Sequence, residues 1–378
     1  MAKSSRKPAR LPLWKHKATG QWCRKIGGKF FYFGTDLEAA IEEWLRDKDY
    51  LLAGKSPPPR PEDNPASIAV ICDAFMEFKE GRLKSGELQK RSFDRYHATC
   101  KYLVAKLGRH TLATQLTPMD FQRLRAKMAK HWGPVGLGNE IQIIRSIFKY
   151  AFDMELIERP VKYGQGFAKP SKRTLRQVRV EKGNRLVSPA DLHKLLKHAG
   201  PQMKAMILLG LNAGLGNTDV ALLPIKAIDF KRKWLSYPRP KTAIVREVPL
   251  WDRTVKALRA AIDARPAEQS EEAAELVFIG PRGQTYVGGH KGYRVHQEFQ
   301  RVTIKAGVDR NFYDLRRSFQ TIGEEAGDAV AVAAVMGHAP RSDDMASVYR
   351  QRVSTERLLA VVQRVEEYYF PKATVKAS

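Results

Sequence analysis

The hydrophobic positions of this chain change period several times, and each change marks an element. Residues 11–34 mix aromatic and β-favouring residues with basic ones and carry turn signals at Ala18-Thr19-Gly20 and Gly27-Gly28, which predicts a three-stranded meander. Thr35 or Asp36 is placed to cap the helix that follows, in which Leu37, Ala40, Ile41, Trp44 and Leu45 form one apolar face. SPPPRPEDNP, residues 56–65, breaks both periods and reads as a linker. Four helical patterns follow, in IAVICDAFMEFKEGRL, SFDRYHATCKYLVAKLG, TPMDFQRLRAKMAKHWG and GNEIQIIRSIFKYAFDMELI. Thr117-Pro118 fits a cap and first-turn proline, and Ile141, Ile144, Phe148, Ala151 and Phe152 recur at helical spacing as a core stripe.

Residues 158–186 lack sustained apolar periodicity and are dense in Lys and Arg, so they read as a second linker lying along phosphates. Ser188-Pro189 then caps a helix that opens the C-terminal part. The expected fold class is mainly α with small β elements. Its parts are a small β-sheet-plus-helix module (1–55), a linker (56–65), a helical bundle (66–160), a basic linker (161–186) and a mixed α+β domain (187–378).

Charge narrows the partners. With 66 Lys and Arg against 40 Asp and Glu, the 378-residue chain carries a formal +26, which a polyanion would offset. DNA or RNA is the partner that charge points to, with membrane-surface binders and ribosomal proteins as competing basic classes, and the motifs below select double-stranded DNA. On the meander, Lys15, Lys17 and Arg24 are candidate DNA contacts; on the bundle, Arg91, Arg95, Arg145 and Lys149 are. For both sets a merely solvated face is the competing reading. Cys23, Cys72 and Cys100 are too few and too far apart for a disulfide framework or a thiolate metal cluster. No metal or cofactor is expected. The basic N-terminus lacks the apolar core of a secretory signal, and no run of about 18 apolar residues offers a membrane span. The expectation is a cytoplasmic, nucleoid-associated protein with no membrane partner.

The segment GHAPRSDDMASVYRQRV sets Gly337-His338 eleven residues before Tyr349, whose neighbours Ser347, Arg350 and Gln351 are polar. Taken alone, this fits a tyrosine facing a polar site or an ordinary surface tyrosine. The segment resembles the nucleophile region of the tyrosine recombinase (phage integrase, lambda-type) family, with Pro340-Arg341 as a small insertion. FYDLRRSFQT resembles the family's His-x-x-Arg helix start, with Arg316 in the arginine place and Tyr313 where histidine is usual. RPKTAIVREVPLW resembles the hairpin that carries the catalytic lysine, here Lys241, and Arg246 with its Val-Pro-Leu strengthens the likeness. In NAGLGNTDVALLPIKAIDF, Gly216 stands where the family has its first arginine, while Asp219 and Leu222-Leu223 keep the surrounding pattern.

The resemblance implies a site-specific recombinase or integrase: Tyr349 forms a 3′-phosphotyrosyl ester, Arg316 clamps the phosphate, Lys241 protonates the leaving oxygen and His338 orients or deprotonates. Four protomers would form a synapse and resolve a Holliday junction, and the C-terminal helix, with Leu358, Leu359, Val362 and Val365, would dock on a neighbour or on its own domain. Tyr313 keeps a hydrogen-bond donor but not a near-neutral acid or base. Arg239 is the candidate for the missing guanidinium, on the reasoning that residues two apart in a strand share a face, so Arg239 and Lys241 both reach the phosphate. The competing function is a catalytically impaired DNA-binding protein of the same fold, acting as an accessory or regulator. A type IB topoisomerase-like relaxase would share the chemistry without needing the N-terminal module.

Overall fold

The structure, a computed structural model, describes residues 12–17, 19–55, 57, 66–286, 294–339 and 344–371. The chain divides into two units, 1–175 and 176–378.

The first unit begins with an antiparallel meander of β1 (Trp14–Lys15), β2 (Trp22–Ile26) and β3 (Lys29–Tyr32), paired Trp14 with Cys23 and Cys23 with Tyr32. Helix α1 (Leu37–Leu52) starts where the Asp36 side chain accepts from the Ala39 amide, 2.9 Å away. Leu13, Phe33, Ala40, Trp44 and Leu51 close a small core between helix and sheet. Most of the linker at 56–65 lies outside the described residues.

Four helices then build a bundle: α2 (Ile68–Lys84), α3 (Lys90–Leu107), α4 (Pro118–Ala129) and α5 (Pro134–Asp153). Thr117 and Asp120 form a reciprocal capping box ahead of the first-turn proline of α4. Ile141, Ile144, Ile147, Phe148 and Ala151 of α5 are buried in the core, with Phe121 and Leu124 opposite; Phe152, expected on that stripe, is exposed. The stretch 161–186, expected to be a linker, is not featureless. Phe167, in a single 3-10 turn, is fully buried in the bundle core beside Tyr163. Helix α6 (Lys172–Glu181) buries no residue, which is why apolar periodicity did not reveal it.

The second unit packs α7 (Pro189–His198), α8 (Pro201–Asn212), α9 (Asn217–Ala221), α10 (Asp252–Asp263), α11 (Glu271–Glu275), α12 (Arg294–Ala306), α13 (Phe312–Glu324), α14 (Ala329–Met336), α15 (Met345–Tyr349) and α16 (Thr355–Tyr369). A small antiparallel sheet, β4 (Ile228–Asp229), β5 (Trp234–Ser236) and β6 (Glu247–Pro249), lies between α9 and α10 in sequence. Helix α8 is buried on nearly every side, as its unbroken apolar run requires. Helix α16 packs on its own unit through Leu358, Val361, Val362, Val365 and Tyr369, while Leu359 is 37% exposed. The Trp251 indole donates to Val362 O at 3.0 Å and the Tyr369 hydroxyl to Val187 O at 2.8 Å, so the helix is pinned at its middle and at its C-terminal end to its own unit.

Candidate active site

Two helix ends create the site. Helix α14 stops at Gly337, where φ is +60°, and the Gly337 and His338 amides donate back to Ala334 and Ala333. The side chain that this left-handed turn projects next is His338. Helix α8 ends just before Gly214, leaving that carbonyl free of helix partners. Arg316 of α13 answers both ends: its guanidinium donates to Gly214 O and, at 2.9 Å, to Met336 O, where the negative poles of two helices favour a cation. Its Nη2 also meets His338 Nε2 at 2.9 Å. A guanidinium has only donors, so that nitrogen is the unprotonated acceptor of a neutral imidazole.

Two more arginines come from the hairpin between β5 and β6. Its ladder continues past the strands, pairing Tyr237 with Arg246 and bonding Arg239 N to Ile244 O. Arg239 Nη1 and the Thr242 hydroxyl both donate to Gly337 O at 3.1 Å. Arg246 is fully buried, its Nη2 3.3 Å from Asp219 Oδ1. Arg239 Nε, Arg246 Nη1 and Arg316 Nε are all buried donors without a partner among the described residues. Three adjacent guanidinium groups with unused N–H bonds form a site short of acceptors, which suits an incoming anion. Burial, with Arg239 nearby, pushes the Arg316 pKa down to about 10. Burial, and then Arg316 and Arg239, lowers that of His338.

Of the other expected site residues, Tyr313 is 47% exposed on α13, close enough to Arg316 to favour its charge. Lys241 is exposed in the turn at the hairpin tip, next to Ala243 with φ +56°. The premise that Arg239 and Lys241 share one strand face is therefore corrected: residues 240–242 form the turn, and Arg239 and Thr242, on either side of Lys241, are the residues bonded to Gly337 O. Tyr349 ends α15 and is 76% exposed, with no hydrogen bond joining it to the arginine cluster among the described residues. Pro340-Arg341 lies outside the described residues. At Gly216 the backbone is extended, and Asp219 Oδ2 accepts from its amide at 2.7 Å. Sequence reasoning passed over Arg246 and Thr242 as site residues; the signal for Arg246 was a cation inside an otherwise apolar strand pattern.

The candidate DNA contacts divide. Lys15, Lys17 and Arg91 are exposed. Arg24 donates to Pro12 O at 2.6 Å and lies over Trp44; Arg95 pairs with Glu140 at 2.8 Å. Arg145 donates to Phe167 O at 2.9 Å, and Lys149 pairs with Asp153 one helical turn on, at 2.8 Å.

Comparison with known proteins fits this geometry. Residues 185–356, a span that includes Arg239, Arg246, Arg316, His338 and Tyr349, match the phage integrase family. The second unit thus carries a phage integrase family domain. No curated protein matches the chain by sequence. Among solved structures, a lambda integrase tetramer bound to a Holliday junction aligns over 89% of this chain and 98% of its own, at TM-score 0.57 and 16% identity. The Tn1549 transposon integrase in complex with transposon right end DNA aligns over 79% of this chain and 99% of its own, at TM-score 0.57 and 13% identity. The chain shares the tyrosine recombinase fold of these integrases.

Proposed function

We propose that this chain cuts and rejoins double-stranded DNA through a 3′-phosphotyrosyl ester on Tyr349. The observation that carries the reading is the pair of Arg316 and Arg239 beside His338, with Arg246 packed against Gly337, unused buried donors on all three, and an exposed tyrosine eleven residues after His338. Attack on a phosphodiester spreads negative charge over the nonbridging oxygens, and preorganised guanidinium donors stabilise it without reorganisation. Arg316 donates to one oxygen. Arg239 takes the place of the arginine absent at Gly216, through its unused Nε. His338, neutral, orients the Tyr349 hydroxyl once the α15 segment closes on DNA, or deprotonates it when its Nε2 is released from Arg316. Lys241, at the hairpin tip, protonates the departing 5′ oxygen, and Tyr313 donates from the rim. The ester conserves the bond for transfer to another 5′ hydroxyl, so no cofactor enters the reaction. Paired strand exchange in a tetramer on DNA completes the scheme, with Lys15, Lys17 and Arg91 on the backbone. The protein then acts where DNA is, in the cytoplasmic nucleoid.

Gly216 and Tyr313 favour a second reading, a binder of the same fold that regulates recombination without cutting. A duplex nicked next to the cleavage position separates the two. The expected result is a covalent protein–DNA adduct that disappears in Tyr349→Phe and slows by about 10²–10³ in Arg239→Ala. Tight binding with no adduct from the wild-type chain selects the binder, and unchanged cleavage in Arg239→Ala removes that residue from the clamp.

A further inference from the structure

Three elements of the second unit converge on Arg246, a residue the chemistry above leaves without a task. Its aliphatic stem lies beneath Gly337, so that a Cβ on that glycine would stand 2.8 Å from Arg246 Cδ and 3.0 Å from its Cγ. Its Nε donates to Tyr237 O at 3.1 Å, and its guanidinium lies 5.1 Å over the Tyr237 ring. Its Nη2 pairs with Asp219 Oδ1, and the other Asp219 oxygen holds the backbone of Gly216. Arg246 thus joins the position that lacks an arginine to the turn that presents His338.

Packing alone does not account for this residue. A fully buried guanidinium with one long ion pair and an idle Nη1 carries a large desolvation cost, whereas an apolar side chain of similar volume would fill the space without it. What the charge adds is a positive field under the anion site and a partner for Asp219. We propose that Arg246 is a positioning residue that supplies, from beneath the site, the charge and the Asp219 contact that an arginine at position 216 would provide. Being fully buried, it acts through Asp219, through the Gly337-His338 turn and through its field, without touching DNA. The structure also leaves the exchange reversible. The Gly216 backbone, at φ −95° and ψ 178°, suits any residue, and a Cβ there meets only Asp219 Oδ2, at 3.3 Å.

The effect on rate rests on the cleavage reading; the effect on anion binding does not. The experiment therefore uses the full chain with two measurements: the adduct-forming rate on saturating nicked duplex, and the affinity for inorganic phosphate followed by the NMR signals of the His338 imidazole. Arg246→Met is expected to slow adduct formation by about tenfold or more and to weaken phosphate binding several-fold, while duplex affinity changes little. Arg246→Lys recovers part of both. Arg246→Met combined with Gly216→Arg recovers more, which a merely structural role for Arg246 would not allow. Wild-type behaviour in Arg246→Met overturns the inference, as does failure of both Arg246→Lys and the Gly216→Arg graft to improve on it. Should circular dichroism show Arg246→Met unfolded, Arg246→Lys with and without Gly216→Arg decides in the same way: a gain from the graft supports the inference and no gain overturns it. If the wild-type chain forms no adduct, the cleavage reading fails alone and the phosphate titration still judges Arg246.

Discussion

At the scale of single residues the site depends on one glycine and one histidine. Gly337 occupies the left-handed region, where any Cβ is strained by about 1–2 kcal/mol, and its neighbours Arg246 and Arg239 leave no room for one. Gly337→Ala is expected to displace His338 from Arg316 and to lower both the urea midpoint and the adduct-forming rate, whereas Gly327→Ala, also at positive φ but with open space around its Cβ, lowers only the first. His338 makes a pH signature. Its protonated form is disfavoured in the fold by burial and by Arg316 and Arg239, and its pKa lies below the ordinary 6.5. The unfolded chain then binds the proton more readily, so stability is undiminished above 6.5 and declines as pH falls from 6.5 towards the lowered folded value. Urea unfolding across that interval should show this slope in the wild type and lose it in His338→Gln. The sequence singled out Arg316, His338 and Tyr349 because each sits in a motif with fixed spacing, and the structure brings the first two into contact. Arg246 was visible only as a mark of likeness, since its role comes from Asp219, 27 residues upstream, and Gly337, 91 downstream, and no local pattern encodes such a meeting.

At the scale of elements, helix ends do most of the positioning. Asp328 caps α14, accepting from the Ala331 amide at 2.9 Å, and also takes two bonds from Arg357 at the start of α16. It therefore fixes the helix that ends at Gly337-His338 against the last helix of the chain. Arg357, with the two backbone amides, holds the Asp328 pKa down to about 2 from 3.8. Its contribution is present above 3.8 and is lost as pH falls through that interval towards 2. Asp328→Ala is expected to cost about 1–2 kcal/mol in urea unfolding at neutral pH and to flatten the acid dependence below 3.8; an unchanged midpoint would remove the cap from the account. Caps of this kind, with 3.6-residue stripes, made the bundle and α16 legible in outline. Hairpin geometry was less so. The sequence around Lys241 looks like a continuous strand, but Ala243 turns the chain at positive φ, which alanine composition does not announce. Helix α6 escaped for the opposite reason, having no buried face to leave a period.

At the scale of the whole molecule, a formal +26 says that a polyanion is expected, yet it does not say which cations meet it. The fold sorts them. Arg95 is bonded to Glu140, whose side chain is only 9% exposed and also accepts from Thr99 at 2.7 Å; removing the arginine leaves a buried carboxylate short of donors. Arg95→Ala should therefore lose about 1–3 kcal/mol of stability, and any weakening of DNA binding should follow from that loss. Arg91, four residues earlier on the same helix, is exposed. If it lies on the backbone, Arg91→Ala should leave the urea midpoint unchanged and reduce the slope of log affinity against log salt by about one, equally for specific and random duplex, because a phosphate contact releases about one counterion and reads no base. Lys15→Ala and Lys17→Ala should behave like Arg91→Ala, whereas Arg24→Ala should lower the urea midpoint, since Arg24 is engaged with Pro12 and Trp44. An Arg91→Ala slope equal to wild type would place that residue off the DNA, and a slope change in Arg95→Ala at full stability would show that an ion pair inside the bundle opens to bind phosphate. Basic residues one helical turn apart thus have separable consequences, because an arginine bonded to a buried carboxylate is needed first to satisfy that carboxylate, and its removal is read as lost stability before it is read as lost affinity.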